Sequence, residues 1–226
     1  MTLKLKLILQ FVVGLIFFGL VLFLPAGTLR FWEGWVFLSI WFIPGLFFSV
    51  YFYKHDPALV ERRMRRREKV KEQKLVMKAA YLVFIVAYLI PGLDFRFGWT
   101  RGWAGAVPLW LKIVSLGMVL GGYLITIWVM DANRYASSII VVEAEQQVIS
   151  TGPYKWVRHP MYFGGLIMML FTPTALGSYV ALPFFATIIP ILVMRLTNEE
   201  KVLRLELPGY AEYCQGTRHR LLPFIW

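Results

Sequence analysis

Six stretches of this chain are apolar over fifteen or more residues, and this repetition limits what it can fold into more than any motif does: residues 5–24, 35–53, 79–93, 107–130, 160–176 and 179–196. A helix needs about 20 apolar residues to cross a hydrocarbon core about 30 Å thick. A chain in lipid must satisfy its backbone polar groups internally, which a helix does residue by residue. Composition agrees: 58% of the 226 residues are hydrophobic and 16% are charged, against about 45–50% and about 25% in soluble domains. The expected fold is an all-α integral membrane protein of about six transmembrane helices. The stretch at 79–93 is short and ends at Pro91-Gly92, so it is expected to recruit residues from Leu75 onward. The last two stretches, separated by Gly177-Ser178, read as a tight helical hairpin.

Residues 5–24 also begin with lysines, as a signal peptide does. Their apolar core is longer than the usual 7–15 residues and ends in the poor cleavage site Leu24-Pro25-Ala26-Gly27, so a retained helix is expected.

Charge distribution gives an orientation. With the N-terminus cytoplasmic, the inner segments hold 20 of the 24 Lys and Arg residues, ten of them in the loop 54–78. The outer side keeps Arg30, Arg96, Arg101 and Lys112, the last placed to snorkel from its span. Both termini are then cytoplasmic, in a bacterial inner membrane rather than the endoplasmic reticulum. The run from Glu61 to Lys71 reads as a topology determinant resting on anionic membrane lipids. It lacks the interleaved aromatics that stack on bases, so no nucleic-acid partner is expected. One cysteine, and three histidines without ligand spacing, give no reason to expect a metal.

Chemistry concentrates after residue 130. Four helices and the basic loop make up residues 1–130. Residues 131–226 form a cassette of polar loop, helical hairpin 160–196 and C-terminal cap. Two charged clusters mark the ends of that hairpin. The first runs from Gly152 to Gly164 and includes Tyr154, Arg158, His159, Pro160, Met161 and Tyr162; the second is Arg195-Leu196-Thr197-Asn198-Glu199-Glu200. Pro160 suits the first turn of a helix, where a missing N–H costs nothing. Gly164 and Gly165 leave room for a neighbouring helix or a ligand. Arg195 and Glu199 are four apart and share a helix face. A surface ion pair would explain those two, but not the second acid beside them. Ionisable groups kept at a membrane edge often bind something.

The pattern Gly-Pro-Tyr-x-x-x-Arg-His-Pro-x-Tyr-x-Gly is followed by Arg-x-x-x-Glu-Glu-x-x-Leu, then by Pro-Gly-Tyr-x-x-Tyr and Arg-x-Arg-x-x-Pro. In this order and spacing it resembles the isoprenylcysteine carboxyl methyltransferase family, within a wider group of membrane phospholipid methyltransferases, over residues 133–226. The resemblance implies S-adenosyl-L-methionine as cofactor, bound on the cytosolic side under a C-terminal cap. The implied cofactor contacts are the strand-like Gln146, Gln147, Val148 and Ile149, then Tyr154, His159, Pro160, Met161, Tyr162, Glu199 and Glu200. One further cofactor contact of the family, upstream of Gln146, has no clear counterpart in this chain, which leaves residues 139–145 unassigned. Arg195 is implied to hold the carboxylate of a lipophilic acceptor entering from the bilayer, an isoprenylcysteine-like molecule. His159 is a secondary candidate as a base or as a cap of the fifth span. Glu199 can pair with the cofactor's ammonium, while His159 or N–H groups near Pro160 can serve its carboxylate. Tyr154 and Tyr162 offer π faces to adenine or the sulfonium. An ionised carboxylate acceptor needs no general base, so orientation and water exclusion carry the catalysis.

Other readings are a phospholipid or amine N-methyltransferase, an NADPH-dependent sterol-type reductase, and a non-catalytic scaffold or transporter. Six spans are few for the reductase, and few ionisable groups lie mid-span for a transport path. The orientation is tested with Cys214, the single cysteine. A membrane-impermeant maleimide should label it in inside-out vesicles and leave it untouched in right-side-out ones.

Overall fold

The structure, a computed structural model, describes residues 2–64, 71–135, 142 and 146–226, by backbone alone over 71–79. Residues 65–70 of the basic run lie outside the described residues, as do all but Val142 of 139–145. The regular structure of the described residues is helical, with no strand among them; Gln146–Ile149, expected to be strand-like, has no regular secondary structure. The helices are α1 (Leu3–Ala26), α2 (Trp32–His55), α3 (Pro57–Met64), α4 (Lys71–Phe97), α5 (Trp99–Ala104), α6 (Leu109–Ala132), α7 (Pro160–Ala175), α8 (Leu182–Ala186), α9 (Ile188–Glu206) and α10 (Tyr210–Gly216).

Five segments among the described residues are long and apolar enough to cross a membrane: Leu3–Ala26, Trp32–His55, Ala80–Phe97, Leu109–Ala132 and Leu182–Glu206. Large apolar side chains such as Val13, Ile16, Ile43 and Phe47 point outward from α1 and α2. In water they would form an untenable patch; in lipid they face their own kind. The chain is a multi-pass integral membrane protein. The expected fifth span, 160–176, is the helix α7, but its 16 residues reach only roughly 24 Å at 1.5 Å per residue. It falls short of a full hydrocarbon core.

The expected tight hairpin is also revised. The chain does reverse after α7, through Leu176–Ala181 and the short α8, before α9 starts beyond a break at Thr187. The principal packing partner of α7 is α6 rather than α9. Two glycines explain this choice. A Cβ on Gly122 would lie 2.5 Å from the Gly164 carbonyl oxygen, and one on Gly164 would lie 2.6 Å from that of Gly122. The two backbones therefore meet directly, as small residues allow between membrane helices. Gly165 has open space beside it and takes no part.

At the end opposite the basic loop, polar groups hold the bundle together. Asp94 on α4 accepts hydrogen bonds from the Thr100 backbone N–H and hydroxyl and from the Ser178 hydroxyl. Thr100 in turn accepts from the Tyr179 N–H at 3.0 Å. Lys112, expected to snorkel, instead pairs at 2.5 Å with buried Glu33 of α2, beneath the ring of Trp32. A membrane-embedded cation is cheaper to keep when an acid meets it than when it must stretch to water.

The α6–α7 contact yields a direct test. Gly122→Leu should destabilise the protein by about 1–3 kcal/mol through overpacking, read as a lower thermal midpoint in detergent. Gly165→Ala should leave that midpoint unchanged.

Candidate active site

Sequence dictates where α7 begins. Pro160 occupies its first position, and the preceding residue His159 has non-helical backbone angles. The His159 side chain makes no capping bond, so the capping role anticipated for it is not the one it plays. Its Nε2 lies 3.3 Å from Glu200 Oε1. Just upstream, Gly152–Lys155 forms a 3₁₀ turn that carries Tyr154. From the C-terminal segment, the Tyr213 hydroxyl donates to the Tyr154 carbonyl at 2.8 Å. The chain returns from α9 through Gly209, whose φ of +82° is one that other residues rarely adopt.

These segments enclose a cavity of about 460 Å³, within the usual range of about 300–1,000 Å³ for small-molecule sites. Gln146, Gln147, Val148, Ile149, Tyr154, His159, Pro160, Met161, Tyr162, Arg195 and Glu199 all line it. Three of them form a chain. Arg195 Nε donates to the Tyr162 hydroxyl at 3.0 Å, and that hydroxyl donates to Glu199 Oε2 at 2.5 Å. The two charged ends anticipated to have separate jobs are thus joined through one phenol. Tyr154 accepts from Asn133 Nδ2 at 2.8 Å. Burial pushes the Tyr154 hydroxyl up to about 12, so it stays a neutral phenol. The first-turn N–H groups of Met161 and Tyr162 lack acceptors within their own helix, as at every helix start. The far wall, formed by Ala80 of α4 and Ile188, Ile191 and Leu192 of α9, is apolar.

Glu200, expected beside Glu199 as a cofactor contact, is not on the cavity wall. It is 4% exposed and committed elsewhere, to Arg158 Nε at 2.8 Å, His159 Nε2 at 3.3 Å and Arg220 Nε at 3.1 Å. Successive helical residues point about 100° apart. One acid therefore enters the cavity while its neighbour enters the cation cluster behind it.

Sequence reasoning missed several lining residues. Tyr210 and Tyr213 belong to a quoted motif but were given no role. Asn133 and Tyr135 carried no signal of their own. The most consequential omission is Arg63, taken with its neighbours for a topology charge. A signal was present: Leu59 and Val60, four and three residues before it, are the apolar pair of α3, and Arg63 shares their face. Burial lowers the pKa of its guanidinium.

The chain has partial relatives among known proteins. Over 97 residues, 42% of this chain and 56% of the relative, it is 27% identical to the uncharacterised protein YpbQ of Bacillus subtilis (strain 168). Over 84 residues, 36% of this chain, it is 31% identical to the Delta(14)-sterol reductase TM7SF2 of Mus musculus, of which 20% is covered. The match spans about half the length of the first relative and a fifth of the second. The family match includes α6, α7 and most of α9, and so the Tyr154–Glu199 part of the cavity wall. Over residues 113–205 the chain carries the sequence pattern of the Isoprenylcysteine carboxyl methyltransferase (ICMT) family.

Proposed function

We propose that this protein is an S-adenosylmethionine-dependent membrane methyltransferase that esterifies a carboxylate on a lipophilic, isoprenylcysteine-like acceptor, at the cytoplasmic face of a bacterial inner membrane. The observation that carries this reading is the composition of the single cavity holding Arg195, Tyr162 and Glu199. Among the described residues its polar end presents one acid, Glu199, aromatic hydroxyls and three guanidinium groups, of which that of Arg158 is paired with Glu200; its other end is the apolar wall of Ala80, Ile188, Ile191 and Leu192. A cofactor with a charged amino-acid tail suits the first end and a hydrocarbon chain suits the second.

The donor set fits S-adenosylmethionine. When bound, this cofactor supplies an electrophilic methyl group on a sulfonium. Glu199 takes its ammonium, and the first-turn N–H groups of Met161 and Tyr162 serve its carboxylate. Tyr154 and Tyr162 line the cavity, where their rings would hold a sulfonium or adenine by cation–π contact or stacking. Gln146–Ile149 closes the side. Arg195 orients the acceptor carboxylate, which is already ionised and needs no base. His159, engaged with Glu200, serves as wall and link rather than as a proton acceptor. Rate enhancement would then come from orienting the acceptor carboxylate and excluding water from around it.

The Tyr162 bridge adds a requirement. Arg195 and Glu199 hold opposite partners yet share one phenol, so each ligand helps to order the other's anchor.

The similarity to a sterol reductase supports NADPH as a rival cofactor, and titration calorimetry separates the two. The protein should bind S-adenosylmethionine and not NADPH. Glu199→Gln should weaken cofactor binding at least about tenfold, the scale of one charge-assisted hydrogen bond. Arg195→Ala should leave cofactor affinity within about threefold while abolishing transfer to a carboxylate acceptor, which marks an acceptor-side role. Binding of NADPH alone, or full transfer by Arg195→Ala, would refute the assignment.

A further inference from the structure

Helix α3 is built to deliver one side chain. Asp56 ends α2 and accepts the Leu59 N–H at 2.9 Å, Pro57 opens the new helix, and Leu59 and Val60 are buried. That anchoring fixes the register of the face on which Arg63 stands, one turn later. Arg63 Nη1 lies 3.3 Å from Met161 Sδ at the start of α7. Arg63 lines the main cavity, and it also lines a second cavity of about 260 Å³ between α1, α2, α3 and α6. It therefore stands in the partition between them, at the cytoplasmic end on the orientation adopted above.

From this placement we propose that Arg63 is a second acceptor-binding residue, so that two guanidinium groups, Arg63 from the basic loop and Arg195 from α9, hold the carboxylate of the methyl acceptor. The inference rests on the methyltransferase reading above. Its physical basis is charge. Among the described residues Arg63, Arg158 and Arg195 line one cavity with a single acid, Glu199, and of the three Arg158 is already paired with Glu200. S-adenosylmethionine brings one further net positive charge. Two guanidinium groups in a cavity removed from water repel each other, and an anion between them relieves that repulsion. A carboxylate acceptor lowers the positive charge of the loaded site; a protonated amine acceptor raises it further. The site with both arginines thus discriminates by charge, and Arg63 ties that discrimination to the loop whose other cations fix topology. The basic run then has a function besides topology, because one of its charges, Arg63, enters the active site.

The test uses the full chain in nanodiscs, with a prenylated N-acetylcysteine as acceptor and its carboxamide as a neutral competitor. Arg63→Gln should raise the acceptor KM at least about tenfold with kcat little changed and S-adenosylmethionine affinity unaltered. Arg63→Lys should recover most of the loss. The free acid of a non-reactive analogue should outcompete its carboxamide in the parent protein, and Arg63→Gln should erase that preference. Arg63→Met, which keeps the packing of the stem, replaces Arg63→Gln should the latter fail to fold. An unchanged acceptor KM, or a loss confined to cofactor affinity, overturns the inference while leaving the methyltransferase reading intact. A parent protein that binds no S-adenosylmethionine overturns both.

Discussion

Taking a carboxylate out of water costs several kcal/mol unless cations and donors replace its hydration, and at Glu200 that replacement organises the whole basic end of the protein. Its carboxylate meets Arg158 and His159, which precede α7, and Arg220 of the C-terminal segment. The same segments are joined by backbone hydrogen bonds from Arg158 N–H to the His219 carbonyl and from His159 N–H to the Arg220 carbonyl, each 2.9 Å. One anion on α9 therefore fixes the start of α7 and the course of the tail, and the cavity lies among these three elements. It also fixes the rotation of α9 about its axis. With Glu200 turned into the cations, helical geometry turns Glu199 toward the cavity and Tyr162.

The rest of the bundle supplies a frame stiff enough for that arrangement to matter. The Gly122–Gly164 approach locks α7 against α6, so the residues at the mouth of α7 are carried on a rigid pair rather than on one short helix. At the far end, Asp94 ties α4 and α5 to the turn after α7, and Glu33 with Lys112 ties α2 to α6. Both devices trade an expensive buried charge for orientation. Between them lies a cavity whose polar end faces the basic loops and whose apolar wall is made by α4 and α9.

Much of this was legible before any coordinates. Apolar runs reveal spanning helices because length and hydrophobicity are local properties, and five of the six expected stretches overlap a long apolar helical segment. The cavity-lining role of Tyr154, Tyr162, Arg195 and Glu199 was also accessible, because the motif fixes their order and spacing. What failed depended on three-dimensional partners. Residues 160–176 are apolar enough to span, yet α7 stops at 16 residues and chooses α6 over α9 through a glycine contact between residues 42 apart in sequence. Glu200 could not be separated from Glu199 by type, only by which side of α9 meets Arg158 and Arg220. Arg63 was hidden among like charges, and only the apolar pair on its own helix face marked it as inward.

Charge sorting is the theme that links these features. One acid is committed to architecture while its neighbour lines the cavity, and the guanidinium groups divide between the two places. The most direct test of the account is the chemistry of the product. Membranes containing the protein, incubated with S-adenosylmethionine labelled in its methyl group, should accumulate label in the lipid-soluble fraction, and mild base should release it as methanol, the signature of a carboxyl methyl ester. Label that survives base would indicate an N-methyl product and contradict the carboxylate acceptor; no transfer at all would contradict the methyltransferase assignment itself.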